Sequence, residues 1–225
     1  MNVTYQLFHY DVSHRLLTKT IPIQSRSFVK AFLQLYYCLT SGLTLNIIDI
    51  DNTSRTIPAN TSGMGPANLR MTHPGLDAGD DSDDWNGAFA GNTVFGPYSN
   101  VYADDCGIQV GTSATAVAVA DDNLVAPVAN GTSSGQMVYY GCWGLNYVTG
   151  ASSASFDVER IVRNSSGGSI IIAEIGIYSI ACNLSSNNTE ANKFGFCILR
   201  DVLGATVTVL NGEYLKVKYT ITVSN

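Results

Sequence analysis

The chain has 225 residues, enough for one large all-β domain or for one domain with an extended arm. Charged residues make up 13% of it, and twelve Lys plus Arg against eighteen Asp plus Glu leave a net charge of −6. This excludes a basic stripe for tracking phosphates, so nucleic-acid binding is not expected, and it suits strands and tight turns better than helices with charged faces.

Residues 1 to 26 mix Tyr5, Leu7, Phe8 and Tyr10 with polar partners and predict one or two short strands or an extended arm. Polar residues interrupt every apolar run there, so no signal peptide is read. No stretch of the chain approaches the roughly 18 apolar residues that span a bilayer. "FVKAFLQLYYCLTSG" follows, with Phe28, Phe32, Leu35, Tyr36 and Leu39 at three- and four-residue spacing. Ser25 or Ser27 can cap a helix here and Gly42 can stop it. Val29, Leu33 and Tyr37 widen its apolar surface, which favours a core helix over an element that docks on a partner.

"LTLNIIDID" predicts a strand, and an irregular region runs from about Asn52 to Cys106. It carries Trp85, Phe89, Phe95, Tyr98 and Tyr102, so it reads as a loop that orders against a neighbour or against the domain itself. Its acidic cluster is Asp77, Asp80, Asp81, Asp83 and Asp84. Close carboxylates repel, and a hard cation would relieve them, which makes Asp80, Asp81, Asp83 and Asp84 a weak calcium candidate. The spacing does not match the helix-loop-helix pattern, so a solvated acidic loop, or a patch for a basic partner, stands beside it.

From Gly107 the chain breaks into short strand-like segments with turns between them: "GIQVG", "TAVAVA", "MVYYGCWGLNYV", "SASFDVERIVRN", "SIIIAEIGIYSIA", "KFGFCILRDVL", "TVTVL" and "YLKVKYTITV". The pattern predicts a mainly β protein, an antiparallel β-sandwich of jelly-roll type, divided as 1–51, 52–106 and 107–225. In "SFDVERIVRN", Phe156, Val158 and Ile161 set against Asp157, Glu159 and Arg160 imply a bulge, and Asn164-Ser-Ser-Gly-Gly is its turn. Asn211-Gly212 predicts a type I′ hairpin joining Thr206–Val209 to the final strand. Leu215, Val217, Tyr219, Ile221 and Val223 then face the core. Lys216 and Lys218 face outward, as on a protected edge strand.

Catalytic patterns are missing: no GxSxG, GxxxxGK[ST], GxGxxG or HExxH occurs. His9 and His14 lie near the N-terminus and His73 in the loop, and no enzyme activity or cofactor is expected. Cys38, Cys106, Cys142, Cys182 and Cys197 form no CxxC pair, and their odd number and wide spread predict free thiols. Tyr139, Tyr140, Trp143 and Tyr147 are interleaved with glycine, a pattern that fits a sugar-binding platform or a sandwich core, the core being favoured.

The ordered series "SFVKAFLQLYY", "GIQVGTS", "DDNLVAPVANGT", "FDVERIVRNSSGGSIIIAEIGIY", "ILRDVL" and "TVTVLNGEYLKVKYTITV" resembles virion structural proteins of tailed bacteriophages. The resemblance covers about residues 27 to 50 and nearly all of 107 to 225. It implies an accessory protein that decorates the capsid or belongs to the neck or tail, assembled in the host cytoplasm, with no catalytic residues to carry over. The implied partners are copies of itself and other virion proteins, with no direct contact to nucleic acid or membrane. Candidate contact residues are Phe28, Phe32, Tyr36, Trp85, Phe89, Phe95 and Tyr98. The alternative is a receptor- or glycan-binding module of a tail fibre, using Tyr139, Tyr140, Trp143 and Trp85.

Overall fold

The computed structural model describes residues 1–25, 27–41, 45–57, 104–182 and 193–225, with the side chains of 38–41, 180–182 and 193 left aside. Phe89, Phe95, Tyr98, Trp85 and the four aspartates of the calcium candidate lie outside these residues. The described chain is mainly β with one helix, and its sheets are antiparallel. No helix among the described residues is long and apolar enough to cross a membrane.

In chain order the elements are β1 (Asn2–Tyr10), β2 (Leu16–Lys19), β3 (Ile23–Ser25), α1 (Lys30–Ser41), β4 (Leu45–Ile48) and β5 (Ser54–Ile57). Then come β6 (Gly107–Gly111), β7 (Met137–Thr149), β8 (Ser153–Asn164), β9 (Ile170–Cys182), β10 (Lys193–Val209) and β11 (Tyr214–Ser224). One six-stranded sheet runs β2-β1-β11-β8-β7, with β3 also pairing β1. A three-stranded sheet runs β10-β9-β6, and β4 pairs β5. Both larger sheets feed one buried apolar cluster. Val3, Tyr5, Leu7, Val158, Leu215 and Val217 come from the first, and Ile108, Val110, Ile172, Ile175 and Phe196 from the second.

Four expectations are corrected by this topology. Residues 2–10 are not an arm: β1 pairs β11 along its whole length, from Asn2 opposite Thr222 to Tyr10 opposite Tyr214. Val3, Tyr5 and Leu7 thereby face the core beside Ile221, Tyr219 and Val217. β11 is consequently not an edge strand, since it lies between β1 and β8. The irregular region starts later than Asn52, because Ser54–Ile57 forms β5. "TAVAVA" is not a strand: the carbonyls of Thr115 and Ala116 accept hydrogen bonds from the Arg200 guanidinium, at 2.7 and 3.4 Å, instead of a neighbouring strand.

The Asn211-Gly212 turn does not close a hairpin. β10 pairs β9, whereas β11 belongs to the other sheet. Gly212 has φ +89°, while Asn211 is outside the left-handed region, so the type I′ geometry that needs both is not formed. A turn with positive φ only at its third residue splays its arms, and here it carries the chain from one sheet to the other. The β8–β9 connection makes the same change of sheet.

The helix begins at Lys30, whose N–H bonds to Val119 O at 2.8 Å, later than a Ser25 or Ser27 cap requires. Ser27 O instead accepts from Arg200 N. Val29, Ala31 and Leu35 are buried in the core, whereas Leu33 and Tyr37, expected to widen the buried surface, are exposed, so the helix packs by one stripe only. Cys106, Cys142 and Cys197 are free and buried, as their spacing predicted; burial pushes the Cys142 thiol up to about 11 and the other two higher. All three are therefore protonated and poorly nucleophilic at neutral pH.

Asp157 on β8 accepts hydrogen bonds from Thr220 Oγ1 (2.6 Å), Asn146 Nδ2 (3.0 Å) and Lys218 Nζ (3.3 Å). Burial alone would raise its pKa, but these three donors outweigh it and hold the carboxyl below the ordinary 3.8. A depressed folded value contributes stability that is complete above the ordinary pKa and is lost as pH falls through the lowered one. Urea midpoints measured from pH 7 to pH 3 are expected to fall more steeply below about pH 4 in the wild type than in Asp157→Asn. Parallel acid limbs would refute this.

Candidate functional site

The outer face of the six-stranded sheet carries a groove of about 760 Å³ that reaches across four adjacent strands. Neighbouring strands lie about 4.8 Å apart, so the groove spans about 14 Å across the sheet. Tyr10 and His14 come from β1 and the turn after it, Tyr214 and Lys216 from β11, Glu159 and Ile161 from β8, and Tyr140, Trp143 and Leu145 from β7.

The β7 wall depends on a bulge. Tyr139 is opposite Val162 and Cys142 opposite Arg160, so two residues, Tyr140 and Gly141, face the single residue Ile161. A bulge of this kind re-aims side chains and frees backbone groups from the ladder. Arg160 takes up the freed carbonyl: its Nε donates to Tyr140 O at 2.7 Å. Its Nη1 donates to Cys106 O and Ile108 O at 2.8 and 2.9 Å, which ties the bulge to the other sheet. Arg160 is 1% exposed, and its guanidinium carbon sits 4.6 Å from the centre of the Tyr139 ring.

Beyond the bulge the Trp143 indole folds back over Gly141. A Cβ placed on Gly141 would meet Trp143 Nε1 at 2.9 Å and two indole carbons at 3.0 and 3.1 Å. Glycine thus lets the indole lie close along the strand while it remains 48% exposed. On the opposite side, Asp11 Oδ1 accepts from Ser13 N and Arg15 N, and this fixes the turn that presents His14. The His14 ring stands 4.5 Å from that of Tyr214, and the Arg163 guanidinium carbon lies 5.4 Å from the Tyr214 ring.

Between the aromatic walls runs an ion pair. Lys216 Nζ is 3.2 Å from Glu159 Oε2 and 4.4 Å from the centre of the Phe8 ring. Both side chains are about one-fifth exposed, so the pair can still meet a ligand. The groove therefore offers aromatic ring faces around one anchored acceptor and donor. Among the described residues, no group of three or more His, Cys, Asp or Glu is placed to hold a metal ion.

The four aromatic residues singled out in the sequence separate here. Tyr139 is in the core, 0% exposed, with its hydroxyl donating to Val128 O at 2.7 Å. Tyr140 and Trp143 line the groove, and Tyr147 is exposed farther along β7. Phe28 and Phe32 stack 4.4 Å apart, partly buried against the chain's own core, and Tyr36 is exposed on α1. The sequence reading did not assign Tyr10, His14, Glu159, Tyr214 or Lys216 to a site. The available signal was the shared outward phase of Tyr10, Glu159, Tyr214 and Lys216 on their strands, with His14 in the turn after β1, and it becomes a site only once the pairing of β1 with β11 is known.

No family model, curated protein or solved structure matches this chain.

Proposed function

We propose that this chain is a structural component of a tailed-phage virion, an accessory protein of the capsid, neck or tail that acts through subunit-subunit contacts. In this reading the two larger sheets pack as a β-sandwich of jelly-roll type, supported by their shared buried cluster. Its partners are copies of itself and other virion proteins, joined during assembly in the host cytoplasm. The resemblance of the ordered sequence segments motivates the reading.

The structural observation that carries it is an exposed apolar patch where β7 turns into β8. Leu145 and Val148 are 44% and 62% exposed, and the register sets them opposite Asp157 and Ser155, two residues apart on one face of β8, with Tyr147 between them 71% exposed. Clustered apolar side chains of this kind mark contact surfaces. The two bulges in β7, one on each side of Trp143 and Leu145, disfavour simple strand addition at this edge, so the contact works through side chains. Multiple copies on a symmetric particle would multiply modest contacts into firm attachment.

Deleting the gene is expected to remove one protein from the particle inventory and to lower the temperature at which particles release their contents. An unchanged inventory with unchanged stability would overturn the reading. Val148→Asp is expected to reduce incorporation while the purified protein keeps its melting temperature.

A further inference from the structure

We propose that the groove on the outer face of the six-stranded sheet binds a short, uncharged glycan, two or three sugar rings long. The inference goes beyond the virion reading and does not depend on it.

Three observations point to this ligand class. First, the groove's aromatic faces stand where an outward-facing sheet normally carries polar side chains, and the bulge and Gly141 set the orientation of two of them. A pyranose presents a face of C–H groups with partial positive charge, which packs on the negative face of an aromatic ring. Trp143 on β7 and Tyr214 on β11 are two strand spacings apart across the sheet and, being opposite Glu159 and Arg163, four residues apart along it, roughly 16 Å between backbones, so separate rings of one oligosaccharide, not a single sugar, would be needed to reach both.

Second, the Lys216–Glu159 pair places a donor and an acceptor side by side between those faces. Adjacent sugar hydroxyls need such a set, one oxygen accepting from the ammonium and the next donating to the carboxylate. Third, the two charges are already matched to each other. A strongly anionic or cationic ligand would have to break the pair, whereas a neutral polyol adds to it. The volume of about 760 Å³ lies within the range of about 300–1,000 Å³ usual for small-molecule sites.

The test uses the purified full chain with maltotriose, cellotriose and chitotriose, with sialyllactose as an anionic comparison and an apolar octapeptide as a comparison of another class. Saturation-transfer NMR reads contact, and titration calorimetry reads affinity. At least one neutral trisaccharide is expected to show transfer to its ring C–H protons. Trp143→Ala removes the exposed indole and is expected to weaken binding about tenfold, the equivalent of one aromatic contact. Gly141→Ala is expected to weaken it as well by displacing the indole, and Lys216→Met should do so by removing the donor.

The melting temperature and far-UV circular dichroism identify any variant that merely unfolds. Trp143→Phe, which retains a ring face, is then the measurement that remains: it should keep more affinity than Trp143→Ala. No transfer to any neutral trisaccharide, preference for sialyllactose or the peptide, or equal affinity in the wild type, Trp143→Ala and Lys216→Met would each overturn the proposal. Because purified protein is measured, such a failure leaves the particle experiment standing as a separate result.

Discussion

Exchanging Arg200 for Met is expected to cost about 3–5 kcal/mol of folding stability, read as a lowered urea midpoint. The Arg200 side chain has no solvent exposure, and its Nε donates to Glu174 Oε2 at 2.8 Å. Its Nη1 donates to Asp121 Oδ2 and its Nη2 to Thr115 O, both at 2.7 Å. Glu174 has no exposure either, and it also accepts from Val125 N and Ala126 N at 3.1 and 2.8 Å. One guanidinium and one carboxylate thus hold the irregular segment around residues 115–126 against β9 and β10.

Removing the cation leaves a buried carboxylate with only amide partners, and that uncompensated charge is the larger part of the cost. The double variant Arg200→Met with Glu174→Gln removes the charge while keeping an oxygen for the two amides. It is expected to be more stable than Arg200→Met alone. A single variant within about 1 kcal/mol of wild type would show that the segment is held by packing instead.

The same chemistry explains what the sequence disclosed. Period-two alternation located β11, which has one face in the core, whereas β9 read as a continuous apolar run because Ile172 to Ser179 are buried on both faces; only the antiparallel, β-rich class follows from such patterns. Arg160 defeated the pattern on β8. Counted as an outward residue, it made "SFDVERIVRN" look bulged, yet Val158, Arg160 and Val162 form an unbroken inward series opposite Tyr219, Val217 and Leu215. A charged residue can hold a core position when every donor has an acceptor, and the Cys106, Ile108 and Tyr140 carbonyls come from chain segments that no local window includes. The bulge belongs to β7.

Strand pairing was hidden for a related reason. Alternation states which face of β11 is apolar but not which strand stands beside it, so the nearest segment and a familiar turn suggested β10. The pairing is settled over nine residues of β1, about two hundred positions away in the chain. The groove inherits that limit. Trp143 and Tyr140 were visible as aromatics in a glycine-rich run, whereas Tyr10 and Tyr214 become neighbours only through the β1–β11 register.

Asn164→Ala is the second large effect expected, about 2–4 kcal/mol of stability lost. Asn164 is 0% exposed and stands where β8 leaves its sheet. Its Nδ2 donates to Gly168 O and to Val209 O, both at 2.7 Å, while Oδ1 accepts from Ser166 N and Ser166 Oγ at 3.0 and 2.8 Å. Its backbone joins the other corner, with N donating to Glu213 O and O accepting from Gly212 N. Asn211 Oδ1 returns the contact by accepting from Gly167 N at 2.9 Å. Two of the places where the chain changes sheet, after β8 and after β10, are therefore fastened to one another through one side chain and its backbone.

Alanine would strip the donor from two carbonyls and the acceptor from Ser166 in a site closed to water, at about 1–3 kcal/mol for each group left unsatisfied. Asp separates this account from a simpler one. If Asn164 only shaped its own turn, a carboxylate oxygen would serve Ser166 equally well and Asn164→Asp would be nearly silent. If it joins the corners, Asp sets a second oxygen against the Gly168 and Val209 carbonyls and buries a charge as well, so Asn164→Asp should be less stable than Asn164→Ala at pH 7. Protonation supplies an O–H donor in place of part of the amide, so lowering the pH should narrow the gap between the two variants. An Asp variant as stable as wild type would assign Asn164 to its own turn and leave the corners to be held by the core beneath them.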